Sequence, residues 1–239
     1  MQKTNRSRYL WYLLLFLILT EFSTGPRRLA AFIHNPLPVI FSLLSILIAL
    51  VCHEFAHAYT ADRLGDPNPR LAGRVSLNPL VHLDPLGTIF IILTGFGWGK
   101  PVQFDPYNLQ HPAQDGAVIA AAGPVTNLLI ALAAGLGWRF LPLTWHFHPL
   151  ASFMITLFAV NLSLGVFNLL PVYPLDGHHI VRSFLNPDTR RSYDRFNRSF
   201  GILVAYIIIL PLFGGTSLAS YLITPAISFA SKLILGIAI

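Results

Sequence analysis

Two histidines and one glutamate have the spacing of a metal-binding site on a helix. His53 and His57 stand four residues apart with Glu54 between them, in the pattern H-E-x-x-H. Positions i and i+4 of a helix lie one turn apart on the same face, so two imidazoles can reach one metal ion with the carboxylate beside it. Alternatively, these side chains form hydrogen bonds to neighbouring helices or extend to the inner membrane interface. Three such residues in this order favour a metal site.

A third protein ligand is needed, because a catalytic tetrahedral zinc ion takes three protein ligands and a water molecule. Asp176 is the best candidate, since it follows the sequence N-L-L-P-V-Y-P-L, whose two prolines interrupt a helix and can turn a carboxylate back into the protein. The adjacent His178 and His179 compete for the same role, and Asp176 could instead be an ordinary turn residue. The favoured set is the histidine pair with Asp176.

The composition of the chain is that of an integral membrane protein. Hydrophobic residues make up 54% and charged residues 11% of the 239 residues, against about 25% charged in an ordinary soluble domain. The mean hydropathy of +0.61 excludes a disordered chain, and the single cysteine excludes a disulfide-stabilised secreted domain. The basic residues form separate clusters rather than a stripe, so the net charge of +6 does not indicate nucleic-acid binding.

Six segments are apolar enough to cross a bilayer, two of them marginally. They cover residues 9–22, 39–61, 117–136 and 150–170, and two spans within 200–239 that meet near Gly214 and Gly215. The first is expected to be a retained helix rather than a signal peptide, since no small-x-small cleavage site follows it. Glu54 lies in the second, where an ionised carboxylate costs several kcal/mol unless another group compensates it. This setting supports the metal site.

The segment between the second and third spans differs from the rest of the chain. Residues 62–116 are rich in glycine and proline, and β-forming residues such as those at 100–104 predict short strands at the membrane surface. The run 86–96 is too short to cross and predicts a re-entrant or interfacial hairpin.

The distribution of basic residues predicts the orientation of the helices. With the N-terminus in the cytoplasm, 13 of the 16 Lys and Arg residues lie on the inner side, and only Arg27, Arg28 and Arg139 lie on the outer side. We therefore expect a multi-pass protein of the plasma (inner) membrane, with the H-E-x-x-H site toward its cytoplasmic side.

The expected fold is an all-α integral membrane protein of about six transmembrane helices. A short cytoplasmic segment, β-rich or re-entrant, is expected between helices 2 and 3. The whole chain, residues 1–239, is expected to form one polytopic domain, with a motif-bearing core at about 39–182 and a C-terminal helical pair at 200–239.

Further motifs lie between the two parts of the candidate metal site. They are G-D-P at residues 65–67, H-L-D-P-L-G at 82–87 and A-G-P-V-T-N at 122–127. With H-E-x-x-H and the N-x-x-P-x-x-P-L-D-G at 168–177, they make the chain resemble the site-2 protease family of intramembrane zinc metalloproteases, peptidase family M50. The resemblance is to its small form, which lacks PDZ and CBS domains, and covers roughly residues 45–182.

The resemblance implies the chemistry of the site. It implies one zinc ion per chain, held by His53, His57 and Asp176, with Glu54 as the catalytic carboxylate. It also implies that the substrates are single-span membrane proteins, cut within or beside their transmembrane helix in the lipid bilayer.

Two amides are candidates for substrate binding. A substrate helix must unwind before hydrolysis, because its amides are hydrogen-bonded within the helix. Asn127 and Asn168 are intramembrane side chains that could hold the extended strand, although hydrogen bonds between helices explain them equally well. The segment 100–104 could add a strand edge for the same purpose.

Two other functions use intramembrane ligands. A metal-ion transporter would coordinate a passing ion, but the sequence holds no second ligand set along a pathway. A pseudoprotease would bind a partner's transmembrane helix without cleaving it, but the metal and base residues are complete. No nucleic-acid partner is expected, and the sequence predicts no particular oligomeric state.

Overall fold

Helices dominate the computed structural model, which describes residues 33–94, 97–209, 211–213 and 216–237. In chain order the helices are α1 (Pro36–Arg63), α2 (Asn68–Leu71), α3 (Pro79–His82), α4 (Pro85–Thr94), α5 (Pro112–Arg139), α6 (Pro149–Asn168), α7 (Asp176–Phe184), α8 (Pro187–Ile209) and α9 (Leu218–Ile234). The 3₁₀ turns Pro106–Asn108 and Leu143–Trp145 and an antiparallel pair of strands, β1 (Pro211–Phe213) and β2 (Thr216–Ser217), complete the described part. The predicted first span, 9–22, lies outside the described residues.

Three helices, α1, α5 and α6, are long and apolar enough to cross a membrane. The first two have 28 residues each and the third has 20, which corresponds to about 42 and 30 Å at 1.5 Å per residue. The hydrocarbon core of a bilayer is about 30 Å thick. Each helix begins with a proline, which suits the first turn because the missing N–H has no helical partner there. These helices match the predicted spans at 39–61, 117–136 and 150–170.

The C-terminal region matches its prediction only in part. The helix α8 begins at Pro187 rather than near residue 200, and its first half is charged. The helix α9 is apolar but has 17 residues, fewer than the about 20 that a span needs. Among the described residues, three helices therefore qualify as spans by length and composition, and the prediction of six is not confirmed.

The segment 62–116 is helical and irregular over its described part, so the strands expected at 100–104 are not found. Its one β interaction there is an isolated antiparallel bridge between Leu83 and Gly99. A strand needs a partner for its backbone, and here the guanidinium of Arg74 donates to the carbonyl oxygens at positions 100 and 101 instead. The side chain thus takes the place of a neighbouring strand.

A buried carboxylate also holds this segment against the end of α1. Asp66 is fully buried and accepts hydrogen bonds from the backbone N–H groups of Asn68 and Asp105 and from the side-chain amide of Asn108. Just before it, Gly65 has a φ of +110°, which lets the chain turn sharply after the helix. These contacts keep the following segment close to the C-terminal half of α1.

The three long helices pack together through small residues. The core between α5 and α6 includes Ala131, Ala134 and Phe158. A Cβ atom on Gly135 would lie 3.0 Å from Cδ2 of Phe158, and one on Gly165 would lie 3.1 Å from the Leu128 side chain. Small residues allow the close backbone approach that stabilises helix pairs within a membrane. The short helix α7 packs on α5, and this brings its first residue near α1.

Candidate metal centre

The two histidines of the H-E-x-x-H pattern lie together on the buried face of α1. His53 and His57 are 6% and 8% exposed, and their Nε2 atoms are 3.0 Å apart. Each Nδ1 faces an oxygen of α5: the distances are 2.7 Å from His57 to the carbonyl oxygen of Ile119 and 2.6 Å from His53 to Oδ1 of Asn127. Since a carbonyl oxygen only accepts, both Nδ1 atoms donate, and in the neutral imidazoles each Nε2 atom keeps a free lone pair.

The carboxylate of Asp176 completes the cluster. Its Oδ2 lies 3.0 Å from Nε2 of His53, and its Oδ1 lies 3.3 Å from Nε2 of His57. One ligand atom from each of the three residues lies within 4.8 Å of the others. A tetrahedral zinc ion with bonds of about 2.0–2.1 Å keeps its ligand atoms about 3.3 Å apart. The three side chains therefore have the spacing that such an ion requires.

The chemistry of these three groups also fits a cation. In the neutral imidazoles the two Nε2 lone pairs face each other, and the buried Oδ2 of Asp176 has no hydrogen-bond donor apart from these rings. Three converging acceptors are unfavourable in a buried position unless a positive charge lies among them. Imidazole nitrogens and a carboxylate oxygen are ligands that zinc accepts.

The loop that carries Asp176 is held in place by α8. The side-chain Oδ1 of Asn197 accepts from the backbone N–H of Tyr173 at 2.9 Å, and the hydroxyl of Tyr193 donates to the carbonyl of Pro171 at 2.8 Å. The helix α6 ends before this loop and α7 begins at the carboxylate itself. The helix break predicted from the two prolines is therefore present.

Gly177 allows the chain to return close to the end of α6. A Cβ atom at this position would lie 2.2 Å from the carbonyl oxygen of Leu169, which is far inside van der Waals contact. A side chain would push α7 away, and with it the neighbouring carboxylate. Steric hindrance thus explains why a glycine follows Asp176 in the L-D-G sequence.

The competing candidates His178 and His179 lie outside the three-residue cluster in the described part of the chain. The ring of His178 stacks on Tyr193, with centroids 4.9 Å apart, on the side of the loop and α8. Burial, and to a smaller extent the neighbouring His179, lowers the pKa of His178 to about 4. Its ring is therefore neutral at physiological pH.

A cavity of about 540 Å³ opens beside the cluster. Glu54 is half-buried and lies in its wall with the three clustered side chains. Most of the remaining wall is apolar and includes Leu50, Phe90, Trp98, Phe104, Phe167 and Ile209. The backbone comes close to the carboxylate at Gly99, where a Cβ atom would lie 3.3 Å from Oε1 of Glu54. A carboxylate, a cluster of candidate metal ligands and an apolar space therefore meet at one place.

The two asparagines predicted to contact substrate lie in different environments. Asn168 forms part of the cavity wall, and its Nδ2 donates to the carbonyl of Leu164 in its own helix at 3.0 Å. Asn127 is fully buried, lies outside that wall and contacts His53 instead. Only Asn168 is placed where a substrate in the cavity would meet it.

Two residues near the cluster were not predicted from the sequence. Gly123 lies against both imidazoles, and Asn161 bonds to Asn127. The sequence does contain a signal for Gly123. The spacing G-x-x-x-N within the A-G-P-V-T-N motif places this glycine on the same helix face as Asn127. No sequence signal distinguishes Asn161, since its partner lies on another helix.

Apolar helices of membrane-spanning length surround a largely buried His–His–Asp cluster, and a glutamate lies beside it. These features define a class: membrane proteins with the side-chain set of a zinc metallopeptidase. The sequence model of peptidase family M50 matches residues 143–212, which include Asp176. The protein "Putative zinc metalloprotease YwhC" of Bacillus subtilis is 33% identical over 207 residues, which cover 82% of this chain and 90% of the relative. The chain belongs to peptidase family M50, the site-2 protease family.

More distant relatives carry related names. "Putative zinc metalloprotease Rip2" of Mycolicibacterium smegmatis is 33% identical over 173 residues, covering 69% of this chain and 65% of the relative. "Zinc metalloprotease MJ0392" of Methanocaldococcus jannaschii is 27% identical over 148 residues, covering 62% of this chain and 34% of that protein. No solved structure matches the chain.

Proposed function

We propose that the protein is a zinc-dependent intramembrane endopeptidase that cleaves single-span membrane proteins within or near their transmembrane helix. The observation that carries the proposal is the position of Glu54 beside the cluster of His53, His57 and Asp176, at the wall of an apolar cavity. Membership of family M50 and the names of the relatives, which include the words zinc metalloprotease, support the same activity.

The side chains have separate tasks in this proposal. When bound, a single zinc ion supplies a Lewis acid that polarises a peptide carbonyl and lowers the pKa of water. The imidazoles of His53 and His57 and the carboxylate of Asp176 hold the ion. Glu54 accepts a proton from the attacking water at a carboxylate oxygen and delivers it to the leaving amine nitrogen. The carboxylate of Glu54 is only half-buried, so both the attacking water and the leaving amine can reach it.

Removal of the metal tests the proposal directly. We expect purified protein, reconstituted in liposomes with a single-span substrate, to lose cleavage after dialysis against a chelator and to regain it when one equivalent of zinc is added. Product formation is followed on gels, and bound metal by mass spectrometry. Magnesium, which prefers six oxygen ligands, serves as the control ion. Cleavage that persists in metal-free protein would contradict the proposal.

The predicted location of the site within the membrane is part of the proposal. We place the protein in the plasma membrane, with its N-terminus and the metal centre toward the cytoplasm. The basic residues Arg63 and Arg182 support this, because they lie at the end of α1 and in α7, close in sequence to the histidine pair and to Asp176. One arginine thus follows the histidine pair in α1, and another follows Asp176 in α7.

Substrate contact by Asn168 gives a second testable result. We expect Asn168→Ala to lower kcat/KM for a membrane substrate by about threefold to tenfold, the loss of one hydrogen bond in a partly buried site. Bound zinc should be unchanged, because the side chain does not touch the cluster. Thr156→Ala is the matched control, since it also removes a bond from a side chain to the backbone of α6 but lies outside the cavity wall. Equal kcat/KM for wild type and Asn168→Ala would remove this residue from the substrate site.

A further inference from the structure

One face of α5 contacts both histidines. Ile119, Gly123 and Asn127 are spaced by four residues and lie in line along the helix. The carbonyl oxygen of Ile119 accepts from Nδ1 of His57, and Oδ1 of Asn127 accepts from Nδ1 of His53. Each imidazole is therefore held on the side opposite to the proposed metal.

Gly123 provides the space for this arrangement. A Cβ atom there would lie 2.5 Å from Nε2 of His57 and 2.7 Å from Cε1 of His53. Any side chain would overlap the rings, so α5 approaches the histidine pair as closely as a backbone can.

The orientation of the Asn127 amide follows from its other partners. Its Nδ2 donates to the backbone carbonyl of Ala49 at 2.9 Å and to Oδ1 of Asn161 at 3.0 Å. The Nδ2 of Asn161 donates to the carbonyl of Leu157 at 2.9 Å, so its own oxygen must face Asn127. Backbone carbonyls only accept, and this defines both amide orientations. The oxygen of Asn127 therefore faces His53, whose proton must lie on Nδ1.

We propose that Asn127, oriented by Asn161, is a positioning residue that holds His53 in the tautomer and ring orientation that aim Nε2 at the metal. The inference rests on the zinc-dependent function proposed above. Both asparagines are fully buried and lie outside the cavity wall, so they act through the histidine and not on the substrate. Partners of this kind on metal-binding histidines keep the free nitrogen basic and limit rotation of the ring.

Zinc affinity and the cobalt spectrum of matched variants test the inference. Asn127→Leu has a similar volume and removes the acceptor, so we expect its zinc affinity in chelator competition to fall by about 10- to 100-fold. Asn161→Leu should show a smaller loss, because the carbonyl of Ala49 still holds the amide. Asn127→Asp keeps an acceptor oxygen facing His53 but loses the Nδ2 donor to Ala49 and Asn161, so we expect its affinity to lie between those of Asn127→Leu and the wild type. Ser45→Ala is the control. Ser45 is also a fully buried polar residue, but it lies on α1 outside the cluster, so its substitution should leave zinc affinity unchanged.

The visible absorption of the cobalt-substituted protein separates positioning from a general loss of stability. We expect Asn127→Leu to alter the ligand-field bands of the folded, monodisperse protein, and Asn127→Asp to alter them less, because it keeps the acceptor oxygen that faces His53. The inference would be overturned if Asn127→Leu had the zinc affinity and the cobalt ligand-field bands of the wild type and differed only in a lower Tm. If that variant does not fold, wild-type affinity in Asn161→Leu would overturn it equally. Failure of the wild-type protein to bind zinc would instead contradict the proposed function itself and, with it, the inference.

Discussion

Glu54→Gln is expected to lose almost all peptide hydrolysis while the protein keeps its metal. Glutamine has the shape of glutamate, but its amide cannot accept a proton from water at neutral pH. General acid–base catalysis contributes about 10²- to 10⁴-fold to the rate, and turnover should fall by that amount. The measurement is cleavage of a reconstituted single-span substrate, together with the zinc content of the same preparation.

The chain offers a matched control for this substitution, because it contains only one other glutamate, Glu21. Glu21→Gln makes the same chemical change and should leave turnover unchanged. Normal turnover by Glu54→Gln would show that another group moves the proton, and the role proposed for this carboxylate would be wrong. Loss of zinc from Glu54→Gln would show that the glutamate binds the metal.

His57→Ala is expected to lose both zinc and hydrolysis. The cluster then keeps only His53 and Asp176, whose nearest ligand atoms are 3.0 Å apart, and two ligands do not form a closed zinc site. We expect zinc content after gel filtration to fall to near background and substrate cleavage to fall with it. Thermal unfolding of the purified variant in detergent shows whether the helix bundle itself remains folded.

His34→Ala serves as the control, since His34 is exposed and lies just before the start of α1. It should keep full zinc content and full cleavage. A His57→Ala protein that binds zinc with wild-type stoichiometry would contradict the assignment of the ligands.

Zinc flux in proteoliposomes separates proteolysis from metal transport. A transporter would show zinc flux in proteoliposomes without a peptide substrate. The described residues contain one cluster of three or more candidate metal-binding side chains, His53, His57 and Asp176, rather than a series along a path. The apolar wall of the adjacent cavity suits a transmembrane segment better than a hydrated ion. We therefore expect cleavage without flux.

The histidine pair was predictable from the sequence because its geometry is local. The pitch of a helix alone brings positions i and i+4 to one face, and the uninterrupted apolar sequence around His53 and His57 indicates a helix. The break before Asp176 was predictable for a similar reason, since Pro171 and Pro174 cannot continue a regular helix. The three long apolar helices followed from length and hydropathy.

The strands expected at residues 100–104 show the limit of such local reasoning. A strand depends on a partner far away in the sequence, and the buried guanidinium of Arg74 takes the carbonyls that a partner would have used. The charged first half of α8 likewise begins a helix that continues into the apolar segment after Phe200, so residues counted as a span are part of a longer amphipathic element.

The sequence by itself determined which side chains could do chemistry and that they lie among apolar helices, because residue type and helical period are written in the chain. Only the tertiary structure decided that the carboxylate of Asp176 reaches the imidazoles, that Asn168 faces the cavity, and that Asn127 faces His53. These choices depend on how helices rotate and slide against one another. That packing is set by close contacts such as Gly123 against the imidazoles, between residues distant in sequence.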